Sequence, residues 1–478
     1  MADSIEHLLG PGLAHHQSGR LAEARALYLK VLQMDAAQPI ALHMLGLLAL
    51  TEQDFGQAVT LFEKALTVNP NNGDAACNLG VALRGLGRLD EAVDAFRRAG
   101  PEDATALYNL GLTFNDQGRF EEAGGAYEAA VAVKPDYLEA HVNLGNALWD
   151  LGRLDEAEKR FQLALEAAPD NPEVHKTLGF LQLLRGSFES GWQNYAWRLK
   201  EPDNPLKKAS YPGRLWEGEP IAGKTLLVYH EQGLGDVIQF ARYLPLVQQR
   251  GARIVFEVQA PLVGLMETSG LADRVVRAGA TLPAYDFHVP LLELPRLFET
   301  DATNIPSETP YLRVSTERLA AWKSRLAGDG TLKVGIAWAG NPVNKVDRKR
   351  SMPPDLFLPL AAMDGVSLFS LQVGREGEAR SVLGGAITDL APLFADFADT
   401  AAAMDHLDLI ISVDTAVAHL AGALGRPVWT LLPKWPDWRW LLERDDSPWY
   451  PSMTLFRQET VGDWPPVIGR LLDNIMKR

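Results

Sequence analysis

The sequence predicts a helical repeat solenoid followed by an α/β body of two parallel-sheet lobes, an α plus α/β chain. Three observations carry that expectation. Gly12, Gly46, Gly80, Gly111, Gly145 and Gly179 recur at a spacing of 34 residues in four of the five intervals. Near residue 202 the rhythm changes to short β-branched apolar runs that alternate with helical stretches. The alternation breaks at residues 299–311 (ETDATNIPSETPY) and then starts again.

Each repeat glycine is followed after twelve residues by a small residue: Ala24, Ala58, Ala92, Ala123, Ala157 or Gly191. Four residues later comes an aromatic: Tyr28, Phe62, Phe96, Tyr127, Phe161 or Tyr195. A second glycine lies seven residues after the first in five copies (Gly19, Gly87, Gly118, Gly152, Gly186), with Gln53 in the other. A period of 34 with this pattern is the tetratricopeptide unit, two helices joined by a tight turn. Small residues are expected where the paired helices touch, with the aromatic filling the gap to the next repeat. The array is assigned to residues 1–202 in six repeats, and it either holds another protein or packs on its own chain.

Residues 203–223 lie in the Pro-, Gly- and charge-rich run EPDNPLKKASYPGRLWEGEPIAGK and read as a linker. The first lobe, 224–312, begins with TLLVYH and continues through a helix from about Gly235, RIVFEV, a second helix and DFHVPLL. The second lobe, 313–478, opens with LKVGIAW and runs through VSLFSLQV, LIISVD, a helix from about Thr415 and PVWTLL. Ligands of open parallel sheets bind beyond the carboxyl ends of the strands, so the residues just after each strand carry the information.

Size and composition narrow the partners. The chain has 478 residues, 47% apolar and 22% charged, close to a soluble globular average. A net charge of −15 argues against nucleic acid or anionic lipid, which require a basic face. Cys77 is the one cysteine, which excludes an internal disulfide, and it is expected as a small buried residue. MADSIEHLLGPG lacks the basic start and apolar stretch of a signal peptide, and no run of about eighteen apolar residues follows. A soluble, cytoplasmic protein without a membrane span is the expectation.

Three segments after strands could carry chemistry. The first is Glu231-Gln-Gly233-Leu-Gly235-Asp236. Its Gly-x-Gly would begin a dinucleotide fingerprint, but the third glycine is replaced by Ile238, which disfavours a nicotinamide enzyme. Asp236 either caps its helix or, with Gly233 and Gly235 letting substrate approach, accepts a proton from a hydroxyl. The second segment holds Lys345, Arg348, Lys349 and Arg350, four cations within six residues, which suit a diphosphate. The third is Ser412-Val-Asp414-Thr415-Ala416, with His419 one helical turn further on. A buried strand running into a helix start offers free N–H groups to phosphate, and Thr415 adds a hydroxyl. Half of the twelve tryptophans fall between Trp429 and Trp464, where core and lobe contacts are expected.

These residues resemble the family-nine glycosyltransferases, the bacterial heptosyltransferases with the two-lobed GT-B fold of Rossmann-like lobes. The resemblance covers about residues 222–460 and rests on Gly235-Asp236, the 345–350 cluster and Asp414-Thr415-Ala416 with His419. It implies Asp236 as the base on the acceptor. It also implies that Lys349 or Arg350, with Asp414, Thr415 and His419, holds the donor phosphates. Ala416 departs from the family's usual glycine.

The whole architecture is similar to protein O-glycosyltransferases such as O-GlcNAc transferase, and bacterial relatives of that kind modify flagellin. Asn78, Asn109 and Asn143 each lie two residues before a repeat glycine, where amides could bond an extended acceptor peptide or remain helix-surface residues. The resulting expectation is a metal-independent, inverting, cofactor-free glycosyltransferase. It would act from a nucleotide sugar onto Ser or Thr of a protein, flagellin among the candidates. Lipopolysaccharide or another glycan as acceptor stays open, as does a non-catalytic scaffold. Self-association is a further contact that such arrays allow.

Overall fold

The computed structural model describes residues 2–202, 204, 211–326, 330–341, 347–375 and 377–477. It divides into two compact units, residues 1–178 and 179–478.

The first unit is built from antiparallel helix pairs beginning with Ala2–Gln17 and Leu21–Met34, then Pro39–Thr51 and Phe55–Val68. The repeat glycine exists because the aromatic sixteen residues on lies on it. A Cβ on Gly46 would stand 2.6 Å from the Phe62 ring, and one on Gly80 2.6 Å from Phe96. Gly111 meets Tyr127 and Gly145 meets Phe161 in the same way. The aromatic therefore locks the two helices of its own repeat, where the sequence suggested a filler between repeats. Gly19, Gly87, Gly118, Gly152 and Gly186 adopt φ between +74° and +80°. That left-handed turn reverses the chain between helices, and glycine enters it without steric cost. Gln53 adopts it too, at φ 59°.

The division at residue 178 falls inside the helix Pro172–Leu184, ahead of Pro202, where the repeat period ends. The last repeat's second helix, Phe188–Tyr195, thus belongs to the second unit. Trp192 explains part of this. It is buried, donates its indole N–H to Thr300 O at 2.8 Å, and packs edge-on against Trp438.

The second unit holds two all-parallel sheets. One contains β1 (Arg214–Leu215), β2 (Thr225–Tyr229), β3 (Arg253–Val258), β4 (Arg274–Arg277) and β5 (Phe287–Pro290), in the order β1-β5-β2-β3-β4. β1 lies within the segment read as a linker; it pairs Arg214 with Phe287, and Trp216 beyond it is buried. The other sheet contains β6 (Leu332–Ala337), β7 (Val366–Ser370), β8 (Ile387–Asp389), β9 (Leu409–Val413), β10 (Val428–Leu432) and β11 (Met453–Arg457). Its order is β11-β10-β9-β6-β7-β8. β9 and β10 are buried at every position, as strands covered on both faces must be.

Strand order locates the crevices. The chain leaves β2 for β3 on one side and returns as β5 on the other; it leaves β6 for β7 and returns as β9. Such reversals open a cleft at the strands' carboxyl ends. Asp236 follows β2, the 347–350 segment follows β6 and Asp414 follows β9.

Candidate active site

After β2 the chain turns at residues 230–233 into the helix Leu234–Phe240. Asp236 lies in its first turn and closes that turn by accepting the Gly233 N–H at Oδ2, 2.8 Å. Its other oxygen, Oδ1, accepts from Arg439 Nη2 at 2.5 Å. Burial raises the Asp236 pKa above the ordinary aspartate value, with the Arg439 charge opposing it and Asp437 adding to it. A carboxylate so placed is more basic than one in water and is aimed by two donors. The capping contact, one of the two alternatives from the sequence, is made, and burial makes the same side chain more basic.

After β9, Thr415 caps the helix Ala416–Ala423 by accepting the Val417 N–H at 3.3 Å, and its hydroxyl pairs with Ser412 Oγ at 3.0 Å. Asp414 is buried, and its pKa is pushed up to about 6 by burial and by Asp437, against the pull of Arg350. His419 Nε2 stands 3.8 Å from Asp414 Oδ1. Its Nδ1 shares a 2.9 Å hydrogen bond with Tyr450 Oη, and its ring stacks on Trp440. Burial, then Arg439, Arg242 and Arg350, depress the His419 pKa well below the usual histidine value. His419 is therefore a neutral ring at pH 7.

The two helix starts meet. A Cβ on Gly235 would lie 3.0 Å from His419 Cδ2 and 3.4 Å from Ala416 Cα. Gly235 thus gives room to the neighbouring helix, and the Gly233 N–H is used by Asp236. An approaching substrate was one of the alternatives the sequence offered for both glycines; these contacts occupy the same positions.

Of the basic cluster, Lys345 lies outside the described residues. Arg348 is in the short helix Asp347–Arg350, and Lys349 is exposed there. Among the described residues of the cluster, Arg350 is the member whose charge acts on the site: it lowers the pKa of Asp236, of Asp414 and of His419. Its Nε donates to the buried Asp347 at 3.2 Å, and Asp347 also takes the Ser351 hydroxyl at 2.9 Å. Gly340 leaves space for this pair, since a Cβ there would lie 2.5 Å from Arg350 Nη2.

The three repeat asparagines do not form a uniform ladder. Asn78 Nδ2 pairs with His43 Nε2 at 3.2 Å and Asn143 Nδ2 donates to Tyr108 Oη at 2.9 Å, each bridging neighbouring repeats. Asn109 turns back to Thr105 O in its own helix.

Comparison with known proteins fits this division. Residues 372–460 match the family described as glycosyltransferase family 9 (heptosyltransferase), and residues 6–29, 43–106, 94–132 and 114–179 match tetratricopeptide repeat families. The chain joins tetratricopeptide repeats to a family-nine glycosyltransferase domain. Protein FlbA of Caulobacter vibrioides is similar over most of the length: 28% identical over 517 residues, covering 94% of this chain and 86% of FlbA. The peroxisomal targeting signal receptor of Saccharomyces cerevisiae is 44% identical over 55 residues, 12% of this chain and 9% of that protein. Among solved structures, MamA is 30% identical, covering 33% of this chain and 93% of its own, with a TM-score of 0.31.

The matched glycosyltransferase segment contains Asp414, His419 and a residue that sequence reading missed, Arg439. Each of its three guanidinium nitrogens is engaged: Nη2 reaches Asp236, Nε reaches Gln239 Oε1 at 2.6 Å and Nη1 reaches Asp437 Oδ1 at 2.8 Å. Burial opposes its charge, but Asp437 and Asp236 outweigh that and hold its proton more firmly. The available signal was Asp437-Trp-Arg439-Trp, a cation set between indoles. Arg242 was missed as well. It is buried and donates to Trp449 O, Pro306 O and Tyr311 Oη, fastening the chain just after the Asp236 helix to the segments around residues 306–311 and 449.

Proposed function

We propose that this protein is a metal-independent, inverting protein O-glycosyltransferase of GT-B type. It moves a sugar from a nucleotide-sugar donor to Ser or Thr of a protein held by the repeats. The observation that carries the reading is Asp236, a half-buried carboxylate with raised basicity. It lies where the helix start after β2 meets the Asp414–His419 helix start, within the field of Arg350. The acceptor oxygen attacks the anomeric carbon as its proton passes to Asp236, and the bond from that carbon to the diphosphate breaks. One in-line displacement inverts the configuration. Arg350 and the start of the 416–423 helix, at the Ala416 N–H, stabilise the departing diphosphate, where negative charge grows. No step needs a cofactor. The repeats raise the local acceptor concentration. Flagellin is the first acceptor to test, and a cytoplasmic location goes with this reading.

A glycan acceptor is the second reading, favoured by the heptosyltransferase description of residues 372–460.

The test is a thermal-shift panel of UDP, GDP, ADP, CMP and CDP, followed by transfer assays with Asp236→Asn. A nucleotide at a hundred times its Kd stabilises by about 2.7 kcal/mol. Arg350→Ala is the control, because His419 is built into the core. One nucleotide shifting the wild type alone fixes the donor class, and Asp236→Asn should keep that shift while losing transfer. No shift with any nucleotide would move the working part of the protein to the repeats.

A further inference from the structure

The helix Phe188–Tyr195 and the turn Ala196–Lys200 come from the last repeat, yet two routes of contact lead from them to Asp236. The first passes through Arg198, which is 3% exposed. Its Nε donates to Glu231 Oε1 at 2.5 Å and its Nη2 to Glu231 Oε2 at 2.9 Å, while Nη1 pairs with Glu293 Oε1 at 2.8 Å. Gln232 donates to Tyr195 Oη at 3.1 Å. The next residue, Gly233, supplies the N–H that holds Asp236 Oδ2. The second route passes through Trp438. The rings of Trp192 and Tyr195 lie 5.1 and 6.2 Å from it, centroid to centroid, and the next residue is Arg439, donor to Asp236 Oδ1. Both hydrogen bonds that aim the carboxylate are therefore buttressed by one helix and the turn after it.

A two-armed guanidinium–carboxylate pair fixes the plane of its partner as well as its distance. Such a pair, fully buried, adds little net stability over apolar residues of the same volume. Its presence two residues before Gly233 therefore favours geometry over stability. We infer that Arg198 is a positioning residue for Asp236, so that the last repeat orients the base of the enzyme it adjoins. The inference rests on Asp236 being that base.

The experiment compares full-length wild type, Arg198→Lys, Tyr195→Phe and Asp236→Asn. It reads kcat and KM across pH, and amide hydrogen exchange over residues 231–236. Lysine keeps the charge and loses the fork. A misaimed base should cost about ten- to a hundredfold in kcat with donor KM unchanged. The acid limb of kcat should move to higher pH, because the Gly233 N–H no longer holds the Asp236 pKa down. Exchange over 231–236 should quicken. Tyr195→Phe, a milder change, should move all three readouts the same way. Wild-type kcat and limb in Arg198→Lys overturn the inference, including the case where only the melting point falls. Full activity in Asp236→Asn removes the base assignment instead; unchanged exchange over 231–236 in Arg198→Lys would then overturn the positioning role as well.

Discussion

Arg439 donates to Asp236 across 203 residues of sequence, and each is the other's ion-pair partner in a setting where the guanidinium is only 6% exposed. Removing Arg439 leaves the Asp236 carboxylate, largely screened from water, without its counter-charge. Arg439→Ala is expected to cost about 3–5 kcal/mol of stability. It should also raise the Asp236 pKa further, because the Arg439 charge is the main force lowering it. Urea unfolding checks the first effect. The acid limb of the transfer rate moving to higher pH checks the second, and an unmoved limb would count against Asp236 as the titrating base.

Gly235→Ala tests the close approach of the two helix starts. The new methyl would lie 3.0 Å from a His419 ring that Tyr450 and Trp440 pin in place, and 3.4 Å from backbone at Ala416. Neither neighbour can yield without moving the site. Overpacking of this kind costs about 1–3 kcal/mol. The variant should melt earlier and transfer sugar more slowly; wild-type values for both would show that the helices have slack.

The fold was more legible than the site. Glycine and aromatic spacing reports local helix pairing, so the repeats and their turns could be read directly, down to Gln53 standing for a glycine. The strands β2, β6, β9 and β10 announced themselves as apolar runs. β4, with the sequence RVVR, and the two-residue β1 did not, because edge positions carry polar residues and too few of them. Asp236, Asp414 and His419 were found because each follows a strand or opens a helix. Arg439 and Arg198 were invisible for the opposite reason: their partners lie far away in sequence, and only the packing of Trp438, Tyr195 and Glu231 brings them in.

The pH dependence of stability separates Asp414 from His419. His419 has a depressed folded pKa, so its contribution is intact above the ordinary histidine value and is lost as pH falls through the range below it. Asp414 runs the other way. Its folded pKa of about 6 is raised from 3.8, so stability is gained as pH falls through that window. The two slopes oppose, each near 1.4 kcal/mol per pH unit at most (about one proton). Asp414→Asn removes the compensating term while Asp236 contributes equally to both proteins. The variant should be the more stable protein at pH 8 and lose that advantage by pH 4, falling more steeply than wild type in chemical denaturation at stepped pH. Parallel curves would show that Asp414 is not the group titrating near pH 6.

Gln53 offers a gain. Its φ of 59° is the left-handed turn conformation that glycine occupies in the five other copies. An L-residue there bears about 1–2 kcal/mol of strain, and glycine gives back about 0.4–1 kcal/mol through a freer unfolded chain. Gln53→Gly should therefore stabilise the first unit by roughly 0.5–1 kcal/mol. A melting point equal to or below that of the wild type would mean that the Gln53 side chain compensates the turn.

Truncation tests where the catalytic body begins. A chain starting at residue 169 keeps Trp192, Tyr195 and Arg198, whereas one starting at residue 203 loses all three. The shorter chain leaves Glu231 without its two-armed partner, and among the described residues Glu293 keeps Arg296 alone. Unpairing a buried charge costs about 3–5 kcal/mol, a large fraction of a domain's whole stability. The chain from 169 should give a cooperative thermal transition and keep nucleotide binding, and the chain from 203 should not. Equal folding of both would place the last repeat outside the enzyme. Loss of transfer from the chain starting at 203 would then report on the repeats as acceptor holders; until that is known, it reports on a broken fold.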